Sequence, residues 1–160
     1  MRRSVENRPV PSKRTGRIAC HLEQDRQLCR MSPKRLSSCT IIVVEDHDDA
    51  RTYLGIFLRG LGANIVLAQD GVEGLEAVKS NKPDLVITDL QMPRMDGFDL
   101  LREIRALQSN TKSSVPIIAM TAFDIGRESA RLMNMGFQAC LPKPFTVEKL
   151  LVTILAALDS

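Results

Sequence analysis

No run among the 160 residues approaches the roughly eighteen consecutive apolar positions that a membrane-spanning helix needs, and no secretory apolar segment opens the chain. A soluble, cytoplasmic protein is therefore expected. The four cysteines, Cys20, Cys29, Cys39 and Cys140, form no C-x-x-C pair and have no neighbouring His cluster at metal spacing. Reduced thiols fit that pattern better than a disulfide framework or a zinc site. No G-x-x-x-x-G-K-[ST] loop follows the first apolar run, which removes the P-loop nucleotide binders. Residues 1–39 contain no aromatic side chain on which a nucleic-acid base could stack.

What is present divides sharply at about residue 40. Residues 1–39 carry ten Lys or Arg against three acids, a charge of +7, whereas residues 40–160 carry twelve against sixteen, a charge of −4. The leading stretch, rich in Arg, Lys, Ser and Pro, has no sustained apolar period with which to offset the entropy of ordering, and reads as a basic, disordered leader. A solvated tail is favoured over a nucleic-acid arm, and Met31 offers a shorter start. The remainder, 40–160, suffices for one domain with its own core.

From Thr40 onward short apolar runs alternate with helical periods. Strands are expected at Thr40–Val44, Asn64–Ala68, Leu85–Thr88, Val115–Met120 and Gln138–Leu141. The first helix carries Ala50, Tyr53, Leu54, Phe57, Leu58 and Leu61 on one face and stops at Gly62; the second carries Val72, Leu75 and Val78. Leu101, Ile104 and Leu107 mark the third, Arg127 to Met135 a weakly periodic fourth, and Val147 to Leu158 the last. Strands that are apolar almost throughout imply a sheet covered on both faces, hence a parallel, doubly wound α/β fold.

In such sheets ligands bind beyond the carboxyl ends of the strands. Those ends are Glu45 and Asp46 after the first strand, Asp89 after the third and Thr121 after the fourth, with the fifth running into Lys143. Clustered carboxylates repel unless a cation sits among them, and oxygen-only ligands select a hard ion such as Mg²⁺.

The segments Val-Val-Glu45-Asp46, Ile-Thr-Asp89-Leu-Gln-Met-Pro-Arg-Met-Asp-Gly97, Met-Thr121-Ala and Leu-Pro-Lys143-Pro-Phe, in that order over residues 40–158, resemble the receiver domain of bacterial two-component response regulators. The resemblance implies a flavodoxin-like (βα)5 fold with strand order 2-1-3-4-5. It implies Asp89 as the phosphoacceptor, charged by a sensor histidine kinase or a histidine phosphotransfer protein. Asp46, Asp89 and the Gln91 backbone carbonyl would ligate Mg²⁺, with Mn²⁺ as the alternative ion and Glu45 holding a ligating water. Thr121 and Lys143 would bind phosphoryl oxygens and signal to a face made of the fourth helix, fifth strand and fifth helix, where an unknown target protein docks. The domain would be a phosphoacceptor rather than an enzyme, with at most self-catalysed phosphorylation and autodephosphorylation, and a monomer or weak dimer.

Two positions depart from the family. Cys140 stands where an aromatic switch residue is usual, so a ring-flip readout is not expected, and Cys140 reads as a small buried hydrophobe. Phe123, two past Thr121, offers no hydrogen bond to an attacking water, which favours slow autodephosphorylation. His47 reads as a loop residue without chemistry, and Met92, Met95 and Met120 as packing. The fourth helix carries Leu132 and Met135 beside Ala130 and Met133, so apolar groups are expected on more than its core face, as core packing or as a surface for partner docking. Among rivals, a haloacid-dehalogenase-like hydrolase needs Asp-x-Asp, and Asp89-Leu90-Gln91 lacks the second acid. A DNA-binding output domain is not expected, because nothing follows the fifth helix. The remaining alternative is a docking module of the same fold that works without phosphorylation.

Overall fold

The computed structural model describes residues 36–108, 114–122 and 125–159, with only the backbone at 125–128. Among the described residues five strands, β1 (Thr40–Val44), β2 (Asn64–Ala68), β3 (Leu85–Asp89), β4 (Ile117–Thr121) and β5 (Ala139–Pro142), alternate with five helices, α1 (Asp48–Gly60), α2 (Gly71–Asn81), α3 (Gly97–Gln108), α4 (Ile125–Met135) and α5 (Val147–Leu158). The strands form one sheet in the order β2-β1-β3-β4-β5, every pair parallel. The expected flavodoxin-like topology is the observed one.

Alternation along each strand sorts the core into two layers. Ile41, Val43, Ile87, Ile118 and Met120 face one way, onto Leu54 and Leu58 of α1 and Leu150 and Ile154 of α5. Ile42, Val44, Val86, Ile117 and Ala119 face the other, onto Leu75 of α2, Leu100 and Ile104 of α3, and Leu132 of α4. Because both faces are covered, residues of either parity had to be apolar, and the strands read as continuous runs.

Helix ends follow local chemistry. Asp70 caps α2, its Oδ1 accepting from the N–H groups of Val72 (2.8 Å) and Glu73 (3.0 Å), and Thr146 caps α5 through Lys149 N–H at 3.2 Å. Gly62, at φ +90, turns the chain from α1 into β2 in the left-handed region.

Several boundaries and faces shift from the sequence expectation. The fourth strand begins at Ile117 and includes Thr121, because Pro116 has no N–H and Val115 N–H is taken by the Gln108 side chain at 3.1 Å. The fifth moves one residue, to Ala139–Pro142. Tyr53, expected on the core face of α1, is 58% exposed, as the Leu54–Leu58 stripe faces the sheet and Tyr53 lies beside it. Val72 and Leu107 likewise lie outside the core. The packed domain also starts before Thr40: Leu36 is buried in the first layer, brought back by a turn in which Cys39 N–H bonds the Leu36 carbonyl at 3.0 Å. Residues 1–35 of the leader assigned to 1–39 lie outside the described residues. Among the described residues no helix is long and apolar enough to cross a membrane.

Candidate functional site

Parallel register decides which residues share the rim. Val44 pairs with Ala68 and Thr88, Asp89 with Met120, and Thr121 with Pro142. The residues at or just past these positions, Glu45, Asp46, Asp89, Thr121 and Lys143, therefore lie along one edge.

Lys143 is the centre of the arrangement. Its Nζ donates to Glu45 Oε2 at 2.7 Å and to Asp89 Oδ2, so one ammonium holds the ends of β1 and β3 from the end of β5. Glu45 is fully buried and Asp89 nearly so. Burial works to lower the Lys143 pKa, but the hydrogen bonds and charges of Asp89 and Glu45 outweigh it and raise it above the ordinary lysine value. The Lys143–Pro144 peptide is cis, and Lys143 N–H bonds the Thr121 carbonyl at 2.7 Å, joining the ends of β4 and β5. Thr121 itself is buried.

Asp89 is held on its other side too. Its Oδ1 accepts from Gln91 N–H at 3.1 Å, an Asx-type turn that starts the loop to α3. Two close approaches shape that loop: Leu90 N–H reaches the Met120 carbonyl at 3.1 Å, and Gly97 N–H the Leu90 carbonyl at 3.1 Å. Met120 is buried in the first core layer, and Met92 and Met95 pack against the second, as their reading as packing residues requires.

His47, given no chemistry from sequence, comes close to the acids. Its Nδ1 lies 3.0 Å from Asp46 Oδ1 and 3.4 Å from Glu45 Oε1. The hydrogen bond and charge of Asp46, then the charge of Glu45, raise its pKa. Glu45, Asp46 and His47 each offer an atom within 4.8 Å of the others.

Arg51 was missed from sequence. From the first turn of α1 its Nη1 donates to the carbonyls of Glu45 (2.7 Å) and Asp46 (3.3 Å), while Nη2 pairs with Asp48, so it clamps the backbone that presents both acids. No periodicity or motif marks such a contact, because it depends on how the β1–α1 loop folds back.

Among the described residues, open clefts lie on either side of this edge. One, of about 540 Å³, is lined by Glu45, His47, Tyr53, Lys143 and Phe145; the other, of about 510 Å³, by Asp46, Gln91, Met92 and Asp96. Three carboxylates against one ammonium leave excess negative charge in a partly desolvated place, with oxygen as the dominant donor. That donor set fits a hard divalent cation. Cys140 is half-buried rather than buried, against the second core layer, and Phe123 lies outside the described residues.

The profile of a family described as response regulator receiver domain matches residues 41–155. Response regulator MprA of Mycobacterium sp. (strain KMS) is 39% identical over 118 residues, 74% of this chain and 50% of that protein. The chain thus spans about half the length of the curated relatives it matches. Among solved structures, the chemotaxis response regulator CheY4 of Vibrio cholerae is 28% identical with a TM-score of 0.68, covering 76% of this chain and 99% of that one. The receiver domain of the sensor histidine kinase PA1611 from Pseudomonas aeruginosa PAO1, described with a magnesium ion coordinated in its active site cleft, is 29% identical with a TM-score of 0.67, covering 78% and 100%.

Proposed function

This chain belongs to the response regulator receiver domain family of two-component signalling, and on that premise we propose that Asp89 is its phosphoacceptor, charged in a Mg²⁺-dependent reaction by a histidine kinase or histidine phosphotransfer protein. The observation that carries the reading is the Lys143 ammonium engaging Asp89 and buried Glu45 together at the strand-end rim.

The Asp89 carboxylate forms the new O–P bond while the P–N bond to the donor imidazole breaks, its electron pair leaving with the ring nitrogen. Glu45, Asp46, Asp89 and the Gln91 carbonyl are the groups that would hold Mg²⁺, or Mn²⁺, which supplies neutralisation of the phosphoryl charge when bound. Lys143 exchanges its contact with Asp89 for one with a phosphoryl oxygen, keeping its charge in place. The Thr121 hydroxyl, on the neighbouring strand, takes another oxygen. Arg51 keeps the Glu45–Asp46 backbone in register with Asp89 throughout.

Because Lys143 N–H is bonded to the Thr121 carbonyl, movement of either side chain toward a phosphoryl group is felt at the ends of β4 and β5 together. Exposed Met133 and Met135 on α4 support a docking role for the adjoining face, since the same helix already buries Leu132 in the core. The target of that face, and the activity of any longer protein of which this domain is part, follow from the partner it meets.

Intact-protein mass after incubation with acetyl phosphate and Mg²⁺ tests the reading. A gain of about 80 Da is expected for the native chain and not for Asp89→Asn or with a chelator. The same gain in Asp89→Asn would sink the assignment, and no gain from either acetyl phosphate or a phosphorylated histidine donor would leave a phosphorylation-independent docking module.

A further inference from the structure

Asp70, just past the carboxyl end of β2, is an aspartate in the interior, 1% exposed. Its two oxygens do different work. Oδ1 caps α2 through Val72 and Glu73 N–H, and Oδ2 pairs with the Arg94 guanidinium, which also lies 3.8 Å from Glu73 Oε1. A buried carboxylate needs such a partner, since desolvation of the charge is otherwise uncompensated.

Arg94 belongs to the loop that leaves Asp89, three residues past Gln91, and it sits at φ +68, a conformation that side chains with a Cβ rarely adopt. The turn around it is tight: Met95 N–H bonds the Pro93 carbonyl at 2.8 Å. The next residue of the loop is held by the next residue of α2, as Gly71 N–H donates to the Met95 carbonyl at 3.1 Å. A Cβ at Gly71 would come within 2.6 Å of that carbonyl oxygen, so glycine is what lets loop and helix approach. Two consecutive residues at the start of α2 thus grip two consecutive residues of the loop, one by charge and one by backbone.

We infer that Asp70 is a positioning residue for the phosphoryl site: through Arg94 it latches the β3–α3 loop to α2 and so fixes the Gln91 backbone, whose carbonyl would help hold a metal ion. Left-handed geometry at Arg94 is retained because the ion pair anchors its side chain, and the loop cannot relax without releasing a buried carboxylate. The inference rests on the reading of Asp89 and its neighbours as a metal-assisted phosphoryl site.

The test uses the full chain as native, Asp70→Asn, Arg94→Gln, the double variant, and Arg94→Lys as the conservative rescue. Asparagine keeps an oxygen for the α2 cap while removing the charge. Two readouts are taken, amide hydrogen exchange over residues 91–96 and Mg²⁺ affinity by calorimetry. Exchange is expected to speed up by about tenfold in either single variant. Mg²⁺ binding is expected to weaken by about tenfold in both, by no more in the double, and to recover largely in Arg94→Lys.

The sign discriminates. Charge acting through space would weaken Mg²⁺ binding in Asp70→Asn and strengthen it in Arg94→Gln, and that opposite pattern overturns the latch. Unchanged exchange in both single variants, or Arg94→Lys behaving as Arg94→Gln does, also overturns it. Absence of Mg²⁺ binding by the native chain would instead defeat the phosphoryl-site reading, while the exchange comparison still decides whether the loop is latched.

Discussion

Replacing Gly97 by alanine should damage the fold and the phosphoacceptor together. Gly97 opens α3, and a Cβ there would stand 2.3 Å from the Asp89 carbonyl oxygen, 3.0 Å from Leu90 Cα and 3.2 Å from Asp89 carbonyl carbon. Ordinary contact begins at 3.4 Å, so the first pair is short by 3.4 − 2.3 = 1.1 Å, and all three neighbours are backbone atoms that no rotamer change can move. Helix propensity favours alanine over glycine by about 1 kcal/mol, whereas overpacking of this kind costs about 1–3 kcal/mol and more where backbone must shift. A net loss of about 2 kcal/mol corresponds to a fall in Tm of about 6–10 °C for a domain of this size. Displacing the Asp89 backbone should also slow phosphoryl uptake from acetyl phosphate. Gly60→Ala is the control, since a Cβ there meets nothing within 4 Å, and its melting should be unchanged or slightly raised. Thermal unfolding followed by circular dichroism, with intact mass for uptake, measures both. A Gly97→Ala variant that melts within about 1 °C of native and takes up phosphate at the native rate would refute the packing argument.

Lys143→Met leaves the Glu45 and Asp89 carboxylates without their shared cation, and should cost about 1–2 kcal/mol in urea unfolding at pH 7, discounted for a side chain 29% exposed. Because the folded Lys143 pKa is raised above 10.5, the stability it contributes is complete below that value and is lost as the pH rises through the folded value. The gap between native and variant should hold from neutral pH to mild alkali and narrow above 10.5; a gap that widened there would contradict the pairing. Arg105→Ala strips the donors from the carbonyls of Val115 and Gly136, each at 2.8 Å, and should lower stability by about 1–3 kcal/mol with Mg²⁺ affinity intact, because both carbonyls precede strands, β4 and β5, at the edge opposite the rim. Thr146→Ala removes the α5 cap at a cost of about 1 kcal/mol in chemical denaturation, and serine at that position should restore most of it.

Periodicity carried much of the architecture. β1 and β2 fall where Thr40–Val44 and Asn64–Ala68 were read, since uninterrupted apolar runs bounded by turn residues leave little choice. Faces were less legible than elements. Tyr53 sits within reach of the core period of α1 yet is exposed, as a helix on a sheet buries a stripe whose centre depends on its rotation. Leu36 was hidden for a different reason: a lone leucine in a basic stretch has no period, and only the turn at Ser37 and Ser38 returns it to the core.

The site divides in the same way. Acids, hydroxyl and ammonium at successive strand ends could be read directly, because parallel topology sends every strand's carboxyl end to one edge. Local order alone therefore determined the two-sided parallel sheet and which residues reach its rim. Tertiary structure decided the pairings among them: Lys143 shared between Glu45 and Asp89, His47 drawn to Asp46, Arg51 closing on two carbonyls, and Asp70 reaching Arg94. Those contacts join residues from different loops, whose separations in the chain carry no period, and they exist only once the sheet has brought the loops within bonding distance.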